Sequence, residues 1–306
     1  MTAAPPRRIA FLGFGLIAGS VARSIVARSP AVAGGSARPV LVGWSPSNEG
    51  PRAAVIDGIL DDAAPSPPEA LRGADLVVIA APPIETVALV NAIGTDLRSA
   101  LDAGAVVTDV ASTKVRVLEA AEGTGLRFVG GHPMAGREST GYANATPDLF
   151  VGRPWVVVPG ADADDAAIAR VAWLASACGA RVVRMDASAH DAAAAAISHL
   201  PLVVAAALVE AVAGGAAPRS GWPAAAGLSA SGWRDMTRLA RGDVHMGAGI
   251  ATTNAGPLVA GLRDLRAVLD EWITDLERAG DPDPARLESR LRVARDRLVR
   301  ADSDEA

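Results

Sequence analysis

The chain has one cysteine, Cys178, one lysine, Lys114, and four histidines in 306 residues. A lone cysteine excludes an internal disulfide and any metal site built from several thiolates, and it suits a reducing compartment, so a cytoplasmic location is expected. Basic charge is also short: 29 Lys and Arg against 34 Asp and Glu leave a net charge of -5. That removes the electrostatic footprint by which a protein holds nucleic acid or an anionic membrane. The apolar start IAFLGFGLIAGSVA, behind Arg7-Arg8, imitates a secretory signal, but Arg23 ends it and its glycines have the spacing of a nucleotide loop. No other stretch offers about 18 apolar residues without glycine, proline or charge intervening. These absences leave small-molecule chemistry in a soluble two-domain protein as the expectation.

What is present is a rhythm. RIAFLGFG, PVLVGW, ADLVVIAAP, AVVTDVAS, RFVGGHP, PWVVVP and ARVVRM are short β-rich runs separated by helical stretches. Such alternation marks a doubly wound, parallel sheet with helices on both faces, assigned to 1-186. From 187 onward the runs stop and alanine, leucine and arginine dominate, so 187-306 reads as an all-α domain, with helices over 187-210, 255-279 and 284-300. The segments 31-39 and 211-223 read as surface connections. The 187-210 helix is apolar nearly all round. A small α-domain cannot cover such a helix alone, which predicts a homodimer.

Gly13-x-Gly15-x-x-Ala18 sits where the first strand turns into the first helix. The first glycine permits the turn, the second lets a pyrophosphate approach, and Leu16 and Ile17 open the helix whose free N–H groups face the phosphates. The other reading is a glycine-rich turn that only packs tightly. At the end of the second strand, where an acid would hold a ribose 2′-hydroxyl, stands Ser45, with Ser47 and Arg52 nearby. Nothing there repels a 2′-phosphate, so NADP is favoured over NAD. Ala80, Ala81 and Pro82 end the third run and shape a floor for the cofactor.

His132 follows a strand in GGHPMAGRESTG, between glycines and Pro133. An imidazole there can take a proton near neutral pH while hydride leaves for a cofactor; packing alone is the alternative. Ser112, in DVASTK, faces the same cleft and can donate a hydrogen bond to substrate or nicotinamide, and Lys114 beside it is either a selected ammonium or chance. Glu138 could pair with a cation. His190 and His199, nine apart on one helix, fall about 180° apart by the helical period, so they cannot share a metal from one helix, and no metal is expected. Pro201 marks a kink or break. In SGWRDMTRLARGD, Arg234, Asp235 and Arg238 form a charged face if helical, and an arginine there could hold a carboxylate.

Together, GFGLIAGS, DVASTK, GGHPMAGRESTG, HDAAAAAISHLP and SGWRDMTRLA resemble the prephenate/arogenate dehydrogenase family of tyrosine biosynthesis, in its order and approximate spacing. The resemblance implies a Rossmann-type domain followed by a helical dimerisation domain, and oxidative decarboxylation of a cyclohexadienol with hydride transfer to NAD(P)+. It implies that His132 takes the ring hydroxyl proton, Ser112 supports that hydroxyl, Arg238 binds a substrate carboxylate, and Glu138 with Asp235 forms an ionic network at the entrance. His199, in ISHLP, joins the substrate-binding candidates. Prephenate-specific members carry a histidine where this chain has Leu202, which favours arogenate. Two alternatives stand beside this: another two-domain dehydrogenase of the β-hydroxyacid type, and a non-catalytic NAD(P)-binding sensor that would have no need of His132.

Overall fold

The structure is a computed structural model describing residues 4-28, 38-137, 139-214, 221-277 and 282-304. Residues 31-37 of the 31-39 connection and 215-220 of the 211-223 connection lie outside those residues. In chain order the elements are β1 (Arg8–Leu12), α1 (Leu16–Arg28), β2 (Val40–Trp44), α2 (Glu49–Ile56), β3 (Asp62–Ala63), α3 (Pro67–Leu71), β4 (Leu76–Ile79), α4 (Pro83–Gly94), β5 (Val106–Asp109), α5 (Val115–Ala121), β6 (Arg127–Pro133), β7 (Pro154–Pro159), α6 (Asp165–Ala177) and β8 (Arg181–Arg184). The helical part follows as α7 (Ala187–Ala194), α8 (Leu200–Ala213), α9 (Trp222–Gly227), α10 (Ser231–Thr237), α11 (Val244–Thr253), α12 (Ala255–Leu276) and α13 (Pro284–Asp304).

One eight-stranded sheet, in the order β3-β2-β1-β4-β5-β6-β7-β8, carries the first part of the chain. The strand order reverses beside β1, between β2 and β4, which is where a doubly wound sheet opens a crevice at its C-terminal edge. β1 explains why both faces are covered: Ile9 and Phe11 enter a core with Val21, Ile25 and Trp155, whereas Ala10 and Leu12 enter another with Val77, Val90 and Phe128. Period-two alternation of apolar residues on both sides demands helices above and below.

The sheet is not wholly parallel, as the strand rhythm had suggested. β7 runs antiparallel to β6, pairing Gly131 with Val157 and His132 with Val156. A parallel return needs a crossover helix; among the described residues between these strands the one helical element is a 3-10 turn, Tyr142–Asn144. The two-residue β3 was not legible as a strand. Cys178 is fully buried, and burial pushes its thiol up to about 12.

The single helix expected over 187-210 is two helices joined by a π-helical turn, Ala195–His199, with Pro201 in the first turn of α8. Proline removes a backbone donor and crowds the preceding turn, and a wider turn relieves that crowding. The stretch Ala187–Ala213 is 27 residues long and apolar enough, by length and composition, to cross a membrane. Its first turns, however, are hydrogen-bonded to the start of α5, as described below, which ties it to the sheet. By compactness the chain divides into Met1–Leu258 and Val259–Ala306. The second unit is a helical pair in which the Asp275 carboxylate, held low by its arginine partners, receives Arg286 at 2.5 Å and Arg290 at 2.9 Å.

Candidate active site

The glycine loop is built by close approach. Gly13 adopts φ 88°, and a Cβ on it would lie 2.4 Å from the carbonyl oxygen of Ala80 at the end of β4. Its N–H donates to the Trp44 carbonyl at 2.8 Å, so the loop is clamped between the ends of β2 and β4. Gly15 is the opposite case: a Cβ there would meet nothing within 4 Å. That open face stands at the N-terminus of α1, whose first N–H groups have no partner inside the helix. Leu16 is buried and anchors the helix; Ile17, Ala80, Ala81 and Pro82 are half-buried around the opening. This cradle fits a pyrophosphate. Ala18 is fully buried in the core beside β1, and a Cβ on the neighbouring Gly19 would lie 2.7 Å from the Tyr142 ring.

Ser45 follows Trp44 at the end of β2 and opens a tight turn. Asn48, at φ 58°, donates its N–H to the Ser45 carbonyl at 3.1 Å and its side-chain amide to the Ala64 carbonyl at 2.8 Å. Ser47 and Arg52 are exposed on this turn and on α2. Asn48, which fixes the turn, is a residue the sequence reading did not single out.

His132 lies near the C-terminal end of β6, half-buried. Its Nδ1 is 2.8 Å from Nε2 of His190 in α7, with the two rings edge-on at 72°. His190 Nδ1 is 2.8 Å from Oδ1 of Asp191. The Asp191 carboxylate accepts the backbone N–H groups of Lys114 at 2.7 Å and Val115 at 2.9 Å, where α5 begins. Asn254, just past α11, donates its amide to the Asp191 carbonyl at 2.8 Å and lies 3.0 Å from Nδ1 of His199. Thr113 and Thr253 meet through their hydroxyls at 2.9 Å. Burial, followed by the neighbouring His190, Lys114 and His199, holds the His132 imidazole well below its usual range. Burial holds His199 at about 4 against the opposing pull of Asp191. Both rings are therefore neutral at neutral pH.

The 180° separation expected for His190 and His199 does not hold. The π turn between them carries more residues per turn than an α-helix, so both rings reach the same cluster around Asp191 and Asn254. Asp191 and Asn254 were missed. The histidine-aspartate pair in HDAAAAAISHLP was the one signal for Asp191, and Asn254 carried none.

Lys114 is fully buried with its ammonium on Asp109 Oδ2. Asp109 also accepts the N–H of Gly131 at 3.1 Å. The paired glycines before His132 make room for this: a Cβ on Gly130 would lie 2.9 Å from Cδ of Lys114, and one on Gly131 2.6 Å from the Asp109 carbonyl. Six buried side-chain polar atoms have no hydrogen-bond partner among the described residues, and Ser112 Oγ and His199 Nε2 are two of them. Buried polar groups are normally satisfied, so these two are suited to a ligand. Leu202 stands half-buried on α8 facing Gly247 of α11. Asp235 is exposed on α10 and Arg238 is exposed in the 3-10 turn that follows it. Glu138 lies outside the described residues.

Comparison with known proteins decides what this arrangement belongs to. Residues 35-184 match the family model for the prephenate dehydrogenase nucleotide-binding domain, and residues 186-288 match that for the prephenate dehydrogenase dimerization domain. The chain belongs to the prephenate dehydrogenase family. It is 30% identical to a prephenate dehydrogenase of Bacillus subtilis over 88% of this chain and 68% of that protein. An arogenate dehydrogenase structure from Synechocystis is 31% identical and superposes with a TM-score of 0.75 over 95% of this chain and 99% of its own. The Aquifex aeolicus prephenate dehydrogenase, solved with hydroxyphenyl propionate and NAD+, is 25% identical with a TM-score of 0.81 over 95% of this chain and 98% of its own. The family assigns the sheet of this oxidoreductase to a Rossmann-type nucleotide-binding fold and the helices after it to a dimerization region.

Proposed function

We propose that this family member catalyses the oxidative decarboxylation of a cyclohexadienol, arogenate in preference to prephenate, with NADP+ in preference to NAD+. The observation that carries the reading is the neutral, half-buried His132 at the end of β6, on the sheet edge that also bears the Gly13–Gly15 cradle. When bound, the oxidised nicotinamide supplies the hydride acceptor. His132 takes the ring hydroxyl proton as the C–O bond becomes a carbonyl, and Ser112 Oγ donates to or accepts from that oxygen. The ring carboxylate then departs as CO2, leaving its bonding pair in a ring that becomes aromatic. Aromatisation supplies the drive, so the protein's work is orientation and polarisation. Arg238 binds a substrate carboxylate, His199 donates from its unpartnered Nε2–H, and Glu138 with Asp235 forms the ionic rim.

Leu202, apolar and facing α11, offers no donor to the keto side chain of prephenate, which supports arogenate. Ser45, Ser47 and Arg52 present no carboxylate against a 2′-phosphate, which supports NADP. The division near residue 186, a cytoplasmic setting and assembly as a homodimer belong to the same reading. The test is a two-by-two assay of arogenate and prephenate against NAD+ and NADP+. Turnover highest with arogenate and NADP+ is expected; turnover of neither cyclohexadienol would overturn the reading.

A further inference from the structure

Which nitrogen of His132 carries the proton decides whether it can act as a base at all, and the hydrogen-bond chain behind it settles that question from its far end. The Asp191 carboxylate already accepts two backbone N–H groups, from Lys114 and Val115, one on each oxygen, so it faces His190 as an acceptor. His190 Nδ1, 2.8 Å away, must then be the protonated nitrogen. With its proton on Nδ1, the His190 ring presents its Nε2 lone pair to His132 Nδ1 at 2.8 Å, which must donate. The lone pair of His132 is thereby left on Nε2.

We infer that His190 and Asp191 are positioning residues: the chain Asp191, His190, His132 locks His132 as the tautomer whose Nε2 accepts a proton. This rests on the reading of His132 as the base. His190 and Asp191 are 2% exposed or less, so water does not compete for the bonds that hold the chain in register. Asp191 is pinned by the start of α5 and by Asn254, which donates to its carbonyl at 2.8 Å. The charged and titratable groups around the two imidazoles are Lys114 from the β5–α5 connection, itself paired with Asp109, and His199 from the π turn. Neither is bonded to the Nδ1 of His132. In turnover the hydroxyl O–H breaks and an N–H forms at Nε2, while Nδ1 keeps its proton and donates it more strongly to His190. The imidazolium charge is thus shared along the chain towards the Asp191 carboxylate. The logic is that of the aspartate behind a catalytic histidine in serine hydrolases, with a second imidazole inserted.

Glutamine and leucine at 190 separate this role from simple packing. The terminal amide of glutamine reaches the position of His190 Nε2 and its oxygen can accept from His132 Nδ1, whereas leucine leaves that donor unpaired. His190→Gln is expected to keep kcat within about tenfold of the wild type, the worth of one supporting hydrogen bond. His190→Leu is expected to lose about 10²- to 10⁴-fold, the worth of general base catalysis, with little change in KM. Nitrogen-15 NMR of the imidazoles, recorded on the intact chain without substrate, reads the tautomer directly. Protonated Nδ1 and unprotonated Nε2 on His132 are expected in the wild type and in His190→Gln. A wild-type His132 protonated on Nε2, or equal kcat losses for the two variants, would overturn the inference. Because the NMR readout needs no turnover, an enzyme that oxidises no cyclohexadienol removes the functional reading and leaves the tautomer result to stand or fall alone.

Discussion

Lys114 and Asp109, five residues apart in the chain, form an ion pair with no exposure to solvent, packed beneath Gly130. Burial pulls the ammonium down and Asp109 pushes it back up, as does Asp191 more weakly. The pair connects the end of β5 to the start of α5, and Asp109 also holds the Gly131 N–H beside His132. Lys114→Met leaves a buried carboxylate without its cation, which costs about 3–5 kcal/mol. Gly130→Ala is also destabilising, because the new methyl meets Cδ of Lys114 at 2.9 Å and Cδ1 of Leu118 at 3.1 Å. Urea unfolding checks both: midpoints should fall, further for Lys114→Met, and an unchanged midpoint for that variant would refute the structural role.

The lysine illustrates how much the sequence could tell. A single lysine among 29 basic residues was conspicuous, but nothing in the sequence decided between a selected ammonium and chance or gave the direction of its side chain. The sheet was legible because period-two apolar alternation and the glycine turn are local signals. The antiparallel β7 was not, since the same apolar run serves either direction and only the absence of a crossover helix between β6 and β7 decides it. His132 stood out as a candidate from its glycine-rich strand end. Its partners were not, because the π turn before Pro201 changes the angular arithmetic of α7 and α8, and because Asn254 meets Asp191 across 63 residues.

His132→Asn keeps the size of the side chain and removes the base. Turnover is expected to drop by about 10²- to 10⁴-fold, with cofactor affinity unchanged in a fluorescence titration of NADPH. The wild-type pH profile carries a second signature. The base works when deprotonated, and burial with the neighbouring His190, Lys114 and His199 lowers its pKa. Activity governed by this group should therefore persist below the ordinary imidazole range and decline only under more acid conditions. A decline of kcat/KM centred on the unshifted value of 6.5 would contradict the environment described for His132.

Acid should also weaken the fold through His199. Its folded pKa is about 4, below the ordinary imidazole value of 6.5, so between the two the unfolded chain holds the extra proton. Stability then rises with pH, by linkage. The contribution is fully present above 6.5 and is lost as pH falls towards about 4. His199→Gln, which cannot titrate, should show a shallower fall of urea midpoint across that window than the wild type. Parallel curves would exclude His199 as a source of acid sensitivity.

The apolar helix α8 has only Ala205 buried, and Ile197 before it is 68% exposed. Such an uncovered face, in the region matched to a dimerization domain, is expected to meet a second copy. Light scattering should give twice 31.0 kDa. A charged replacement, Ile197→Asp, should shift the mass towards one chain; a wild type already at 31.0 kDa would remove the dimer.

Ser45 and Leu202 address the two specificities separately, and they lie in different parts of the chain, at the end of β2 and on α8. Ser45→Asp puts a carboxylate where a 2′-phosphate would sit and where a ribose hydroxyl could be held, so the NADP+/NAD+ ratio of kcat/KM should fall. Leu202→His adds a donor facing α11, so the prephenate/arogenate ratio should rise. Sites without shared partners act additively, and the double variant should therefore show both shifts at the sizes measured singly. Each single variant should leave the other ratio alone. If Ser45→Asp alters substrate choice as strongly as cofactor choice, it acts through the fold, and the assignment of the β2 turn to the cofactor ribose is wrong.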